Sequence, residues 1–230
     1  MKPLIGVVGG LGPLASAEFL KTVYEQSLGE REQTAPRVVL WSDPSFPDRT
    51  ETLLAGGGDV LLRQLVEALE GLRSLGAGRI VICCMTMHHL LPRLPGELLR
   101  SVWSLVDVVH ADLLRRRARH LLVCTSGARR LELFEGHPDW KLSADYFVMP
   151  DEGDQAQIHD LIYRVKRNEA PRRLVPDLRR LLAKYEVDSF IAGCTEIHLL
   201  AKEFDAAHGE RYGCLDPLTI IAREVAKEDL

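Results

Sequence analysis

One local pattern occurs twice in this chain, and that repetition constrains the fold more than any other feature. Arg79-Ile80-Val81-Ile82-Cys83-Cys84 runs into Met85-Thr86-Met87-His88-His89-Leu90-Leu91. Ser189-Phe190-Ile191-Ala192-Gly193-Cys194 runs into Thr195-Glu196-Ile197-His198-Leu199-Leu200. Each copy is an apolar stretch ending in cysteine, then a threonine, a histidine four places past the cysteine and a Leu-Leu pair. The two cysteines stand 110 residues apart. Upstream, Ile5-Gly6-Val7-Val8-Gly9-Gly10 and Leu121-Leu122-Val123-Cys124-Thr125-Ser126 are both apolar runs opening into small residues. Gly9 precedes Cys84 by 75 residues, and Cys124 precedes Cys194 by 70. A chain repeated in this way is expected to fold as two similar units. Its 230 residues, 46% of them hydrophobic, are enough for two small cores.

Strand and helix patterns alternate along the whole length. Strands are predicted at Leu4–Val8, Val38–Trp41, Arg79–Cys84, Leu121–Cys124, Tyr146–Met149, Ser189–Ala192 and Gly213–Leu215. Helical spacing covers Leu14–Leu28, Asp59–Leu75, Leu98–Leu114, Ala128–Phe134, Gln155–Lys166, Pro171–Tyr185, Glu196–Glu203 and Thr219–Lys227, with a proline-rich loop at Pro44–Thr50. Such alternation implies an α/β fold with parallel sheets. The expected architecture is two similar parallel-sheet α/β halves related by a pseudo-two-fold axis, with the active site between them. Residues 1–108 and 209–230 form the half with Cys84, and residues 109–208 the half with Cys194.

Ligands of parallel α/β sheets collect beyond the C-terminal ends of the strands. Cys84 and Cys194 are both predicted there, their sulfurs approaching one cleft from opposite sides. Inversion of a stereocentre needs that arrangement: one thiolate removes the Cα proton from one face, and the opposite thiol returns a proton to the other. A thiol ionises at about pH 8.5, close enough to neutrality to serve as base or acid. Thr86 and Thr195 put a hydroxyl beside each sulfur, to orient the thiol or to bind a carboxylate. Cys83 points to the opposite face of its strand from Cys84 and reads as core filler, as do Cys124 and Cys214. His88 and His198 read as residues packed at helix starts. Glu196 either favours a helix N-terminus or polarises the cleft, and Arg49 either grips an anion or ties down a loop.

At these same residues the chain resembles the cofactor-independent aspartate/glutamate racemase family. Gly9-Gly10-Leu11-Gly12-Pro13-Leu14, Pro47-Asp48-Arg49-Thr50, Cys84-x-Thr86-x-His88 and Gly193-Cys194-Thr195-Glu196 are similar to its ordered motifs, over roughly residues 4 to 220. Glutamate racemases usually open with Asp-Ser-Gly and carry His after the second Cys-Thr. Here Gly-Gly-Leu-Gly-Pro and Glu196 fit the aspartate branch. The resemblance implies an isomerase in which Cys84 and Cys194 carry two-base chemistry without a cofactor. It implies an acidic amino acid, aspartate or glutamate, as substrate, and a homodimer as the working form. Thr86 and Thr195 match carboxylate binders, Arg49 a grip on an acidic side chain, and Lys166 a second cation. Gly10, Leu11, Thr125 and Glu196 match positions near the ligand. Met85 stands where the family usually has Asn and cannot donate that amide hydrogen bond. This implies an altered grip on the substrate.

Other classes fit some of the same residues. Gly10-Leu11-Gly12-Pro13-Leu14-Ala15 satisfies the G-x-G-x-x-A spacing of a dinucleotide site, which would make a nicotinamide oxidoreductase. However, Asp43 lies too far on for the ribose-binding acid, and a nucleotide site leaves the repeated cysteines unexplained. A non-catalytic binding member of the fold and a related cysteine-dependent isomerase also share the motifs. Adjacent Cys83 and Cys84 do not have zinc-ligand spacing, so no metal is expected. The net charge of −4 and the short basic run Arg115–His120 argue against nucleic acid. No apolar run is long enough for a membrane span. Five cysteines, two of them adjacent, with no signal-peptide pattern before them, lead to the expectation of a cytoplasmic protein with reduced thiols.

Overall fold

The repeat is realised as two four-stranded parallel sheets with the same strand order. The computed structural model describes residues 4–29, 31–208 and 213–227. In the first half β1 (Leu4–Gly9), β2 (Arg37–Ser42), β3 (Ala77–Ile82) and β4 (Val102–Trp103) are ordered β2-β1-β3-β4. In the second half β5 (His120–Val123), β6 (Phe147–Val148), β7 (Ser189–Ala192) and β8 (Gly213–Leu215) are ordered β6-β5-β7-β8. Every pairing is parallel. Each half thus places its first strand centrally, its second on one side and its third on the other. The helices are α1 (Pro13–Ser27), α2 (Arg49–Leu54), α3 (Gly58–Ser74), α4 (Gly96–Leu99), α5 (Leu105–Arg116), α6 (Ser126–Arg130), α7 (Trp140–Ser143), α8 (Glu152–Lys166), α9 (Val175–Lys184), α10 (Ile197–His208) and α11 (Pro217–Lys227). Among the described residues no helix is long and apolar enough to cross a membrane.

Burial explains why these segments take these forms. All six residues of β1 are buried, as a central parallel strand covered on both faces requires. On α3, Leu61, Leu65, Ala68, Leu69 and Leu72 recur at helical spacing and are buried, sharing one core with Leu4, Val8, Ile80 and Ile82. In the second half Ile158, Leu161 and Ile162 of α8 join Leu178 and Leu182 of α9. This group packs with Leu121, Val123 and Phe190. Cys84 belongs to the first of these cores and Cys194 to the second, so each of these cysteines is backed by apolar side chains.

Three expectations change. The helix predicted over Leu98–Leu114 is broken into α4, β4 and α5, because Val102 and Trp103 pair with Ile80 and Val81 as the fourth strand. A two-residue strand has no periodicity to read. Arg49 opens a helix where a loop was expected, with Asp48 Oδ1 accepting from the Glu51 N–H at 3.0 Å as its cap. The domain grouping also shifts. One compact unit runs to Leu105 and resumes at Leu218, and the other is Val106–Pro217. The last strand, grouped by sequence with Cys84, hydrogen-bonds to β7 and belongs with Cys194. The partner of a three-residue strand is decided by tertiary hydrogen bonds.

Candidate active site

In the first half, strand register brings two loops together. Val8 lies opposite Ile82, so the Gly9-Gly10 turn and Cys83-Cys84 leave the sheet side by side, and the Cys83 N–H donates to the Val8 carbonyl at 2.8 Å. Gly10 has φ +82°, and a Cβ there would stand 2.4 Å from the Asp43 backbone. Its N–H donates to Ser16 Oγ at 3.2 Å. The close approach that glycine permits is therefore used by the chain's own Asp43. In a dinucleotide site it would be left open for a pyrophosphate, so this turn does not favour the oxidoreductase reading. Leu11 is buried, and its carbonyl accepts a hydrogen bond from Arg49 Nη2. Arg49 Nη1 also donates to the carbonyls of Pro47 at 3.0 Å and Phe46 at 3.4 Å. The guanidinium ties its own loop to the glycine turn and stands beside that turn.

Cys84 follows β3 in extended backbone and caps a 3-10 run, Met85–Arg93. Cys84, Met85 and Thr86 are all buried. His88 Nε2 accepts the Leu105 N–H at 3.0 Å, and its Nδ1 lies 3.0 Å from the Cys84 carbonyl oxygen. An acceptor Nε2 places the proton on Nδ1, which donates to Cys84 O. One ring nitrogen holds the Cys84 carbonyl and the other the Leu105 N–H, in keeping with the packing role read from sequence.

The second half repeats the construction. Val123 lies opposite Ala192, which sets Cys124-Thr125 beside Gly193-Cys194. A Cβ on Gly193 would stand 2.8 Å from Cys124 Cβ, so this close strand contact needs glycine. Thr125 caps α6, its Oγ1 accepting the Ala128 N–H at 3.1 Å. Cys194, Thr195 and Glu196 are buried, and the Cys194 thiol donates to Glu196 Oε2 at 2.8 Å. His198 is fully buried and pairs through Nδ1 with Asp216.

Two contacts here were missed from sequence. Gln155 Nε2 donates to the Cys124 carbonyl at 2.8 Å, and the Ser126 N–H donates to His159 Nδ1 at 3.2 Å. His159, Tyr163 and Lys166 share one face of α8. The His159 and Tyr163 rings lie 4.4 Å apart, and the Lys166 ammonium sits 4.3 Å from the Tyr163 centroid. The i, i+4, i+7 spacing was the available signal. It leads from the Thr125 loop to Lys166, so the structure links these two candidates through the helix face. A cavity of about 520 Å³ opens beside the same loop, lined by Ser126, Arg129, Arg130 and Gln155 among others.

The other cysteines differ. Cys83 and Cys124 are fully buried, whereas Cys214, expected to be buried, is half-buried. Burial pushes the Cys124 thiol well above the usual range, so it stays protonated.

With the geometry in view, a family model described as Asp/Glu/Hydantoin racemase matches residues 8–225. Among solved structures, an aspartate racemase from Picrophilus torridus is similar with a TM-score of 0.82 at 20% identity, over 98% of this chain and 93% of that one. An aspartate racemase homologue from Pyrococcus horikoshii gives a TM-score of 0.69 at 19% identity, over 98% and 97%. A glutamate racemase from Francisella tularensis, solved in complex with D-glutamate, gives 0.65 at 10% identity, over 97% and 79%.

Proposed function

Because the chain belongs to the Asp/Glu/Hydantoin racemase family, we propose that it inverts the Cα of a free acidic amino acid, aspartate or glutamate, by passing protons through Cys84 and Cys194 without a cofactor. The observation that carries this reading is the matched construction of the two halves. Each places a cysteine two residues past its third strand and sets it beside the turn that follows the first strand. One thiolate takes the Cα proton, the electron pair left on Cα spreads into the α-carboxylate, and the second thiol protonates the other face. The backbone N–H of Leu11 beside the Gly10 turn, with the hydroxyls of Thr86, Thr125 and Thr195, is assigned to the α-carboxylate and α-ammonium. Arg49, held against the Leu11 carbonyl, is assigned to the side-chain carboxylate, with Lys166 as the second cation. Met85 contributes an apolar wall where an amide would otherwise bind.

Proton NMR of L- and D-aspartate and glutamate in D₂O, without added cofactor, tests this. Wild type is expected to wash deuterium into Cα of both enantiomers. Cys84→Ser and Cys194→Ser should each lose net racemisation and keep exchange on opposite enantiomers, since an alcohol ionises far less readily than a thiol. Normal racemisation by Cys84→Ser, or exchange on the same enantiomer in both variants, would refute the two-thiol scheme.

A further inference from the structure

The two cysteines share a sequence setting but differ in the chemistry around the sulfur. Two residues past Cys84 stands Thr86, and two residues past Cys194 stands Glu196. The Cys194 thiol donates to Glu196 Oε2 at 2.8 Å, and the Thr195 hydroxyl lies 3.5 Å from the same oxygen. Cys194 is 5% exposed and Glu196 3%, so little water reaches the pair. The other carboxylate oxygen, Glu196 Oε1, is buried with no hydrogen-bond partner among the described residues.

Two acids this close, shielded from water, resist carrying two negative charges at once. A carboxylate that accepts the S–H favours the protonated sulfur twice over, by the hydrogen bond and by repelling the thiolate. The Cys84 motif offers no such acid.

We propose that Glu196 is a positioning residue that keeps the Cys194 sulfur protonated at rest, so that the two thiols begin from opposite protonation states. Cys194 is then the sulfur loaded as acid, and Cys84, with no acid in its motif, is assigned as the base. The catalytic meaning rests on the racemase reading; the protonation of the pair does not. For one enantiomer, the Cys84 thiolate breaks the Cα–H bond and keeps the proton as S–H. The electron pair on Cα then takes the proton from Cys194, leaving a thiolate beside Glu196. Repulsion from Glu196 drives that sulfur to reload with a proton, from solvent or from the opposite enantiomer, while Cys84 loses one. For the opposite enantiomer Cys194 must be the base, and it has to shed its proton first. Enantiomers in water have equal free energy, so kcat/KM is the same in both directions. The asymmetry must therefore appear as a split between kcat and KM.

The test uses the full chain labelled with [3-¹³C]cysteine, whose Cβ shift reports thiol ionisation, with Cys194 assigned by its loss in Cys194→Ser. In Glu196→Gln, which keeps the shape and loses the charge, the Cys194 midpoint is expected to fall by about one pH unit or more while Cys84 holds. Glu196→Asp, which keeps the charge on a shorter arm, should fall between. An unmoved Cys194 midpoint, or an equal shift at Cys84, overturns the proposal. In activity, Glu196→Gln should bring the forward and reverse kcat values closer together. A lowered kcat with an unchanged ratio would leave Glu196 only a packing role. The titration needs no substrate. A shifted midpoint in a chain that does not racemise would refute the racemase reading and leave the pair standing.

Discussion

Replacing Gly10 by alanine probes the turn that the proposed carboxylate site depends on. The residue sits at φ +82°, where a side chain costs about 1–2 kcal/mol. The added Cβ would stand 2.4 Å from the Asp43 backbone, against a normal carbon contact of about 3.5 Å or more. Asp43 would have to move by roughly an ångström. That motion strains the Asp43 N–H bond to the Gly9 carbonyl (3.3 Å) and the Gly10 N–H bond to Ser16 Oγ (3.2 Å). With about 1 kcal/mol for each hydrogen bond, the loss comes to roughly 3–4 kcal/mol. For a chain of this size that lowers Tm on the order of 10 °C. Scanning calorimetry of wild type and Gly10→Ala measures it, and racemase assays well below the new Tm should show a reduced kcat/KM. A Tm drop below about 3 °C would mean that the turn yields freely, which the backbone contact argues against.

Three further outcomes are expected. Arg49→Ala should lower kcat/KM for an acidic amino acid by about 2–4 kcal/mol, or roughly 30- to 1000-fold, and Arg49→Lys should not rescue it because the guanidinium spans several carbonyls. Unchanged kinetics would leave Arg49 a loop tie only. Burial, helped by stacked His137, lowers the His110 pKa from 6.5 to about 4, and burial with Arg116 nearby lowers that of His120 to about 4. Their contribution to stability is therefore present above about pH 6.5 and lost as pH falls toward 4, on the order of 2 kcal/mol each. Urea unfolding from pH 7.5 to 4.5 should show this slope, and His110→Gln with His120→Gln should flatten it. Cys124, fully buried, should resist iodoacetamide in the native protein, and Cys124→Ser should racemise at the wild-type rate; rapid alkylation would contradict its burial.

The repeated motif by itself determined the α/β class, the doubling of the fold and the position of each cysteine at the C-terminal end of a strand pattern. Those features depend on local apolar patterning, which a chain carries in its residue order. Leu65, Leu69 and Leu72 declared the buried face of α3 in the same way. Tertiary structure alone decided the rest. Val102-Trp103 became a strand because Ile80 and Val81 had bonds to offer, and Gly213–Leu215 joined the second sheet because β7 did. The contact of Gly10 with Asp43 spans a helix and a strand, so it could not be read from spacing. Nor could the hold of His88 on Cys84 and Leu105, or the bond between Cys194 and Glu196, whose direction depends on how the backbone turns after β7. Sequence placed acids, thiols and imidazoles near one another along the chain. Backbone register and burial decided which of them share a proton.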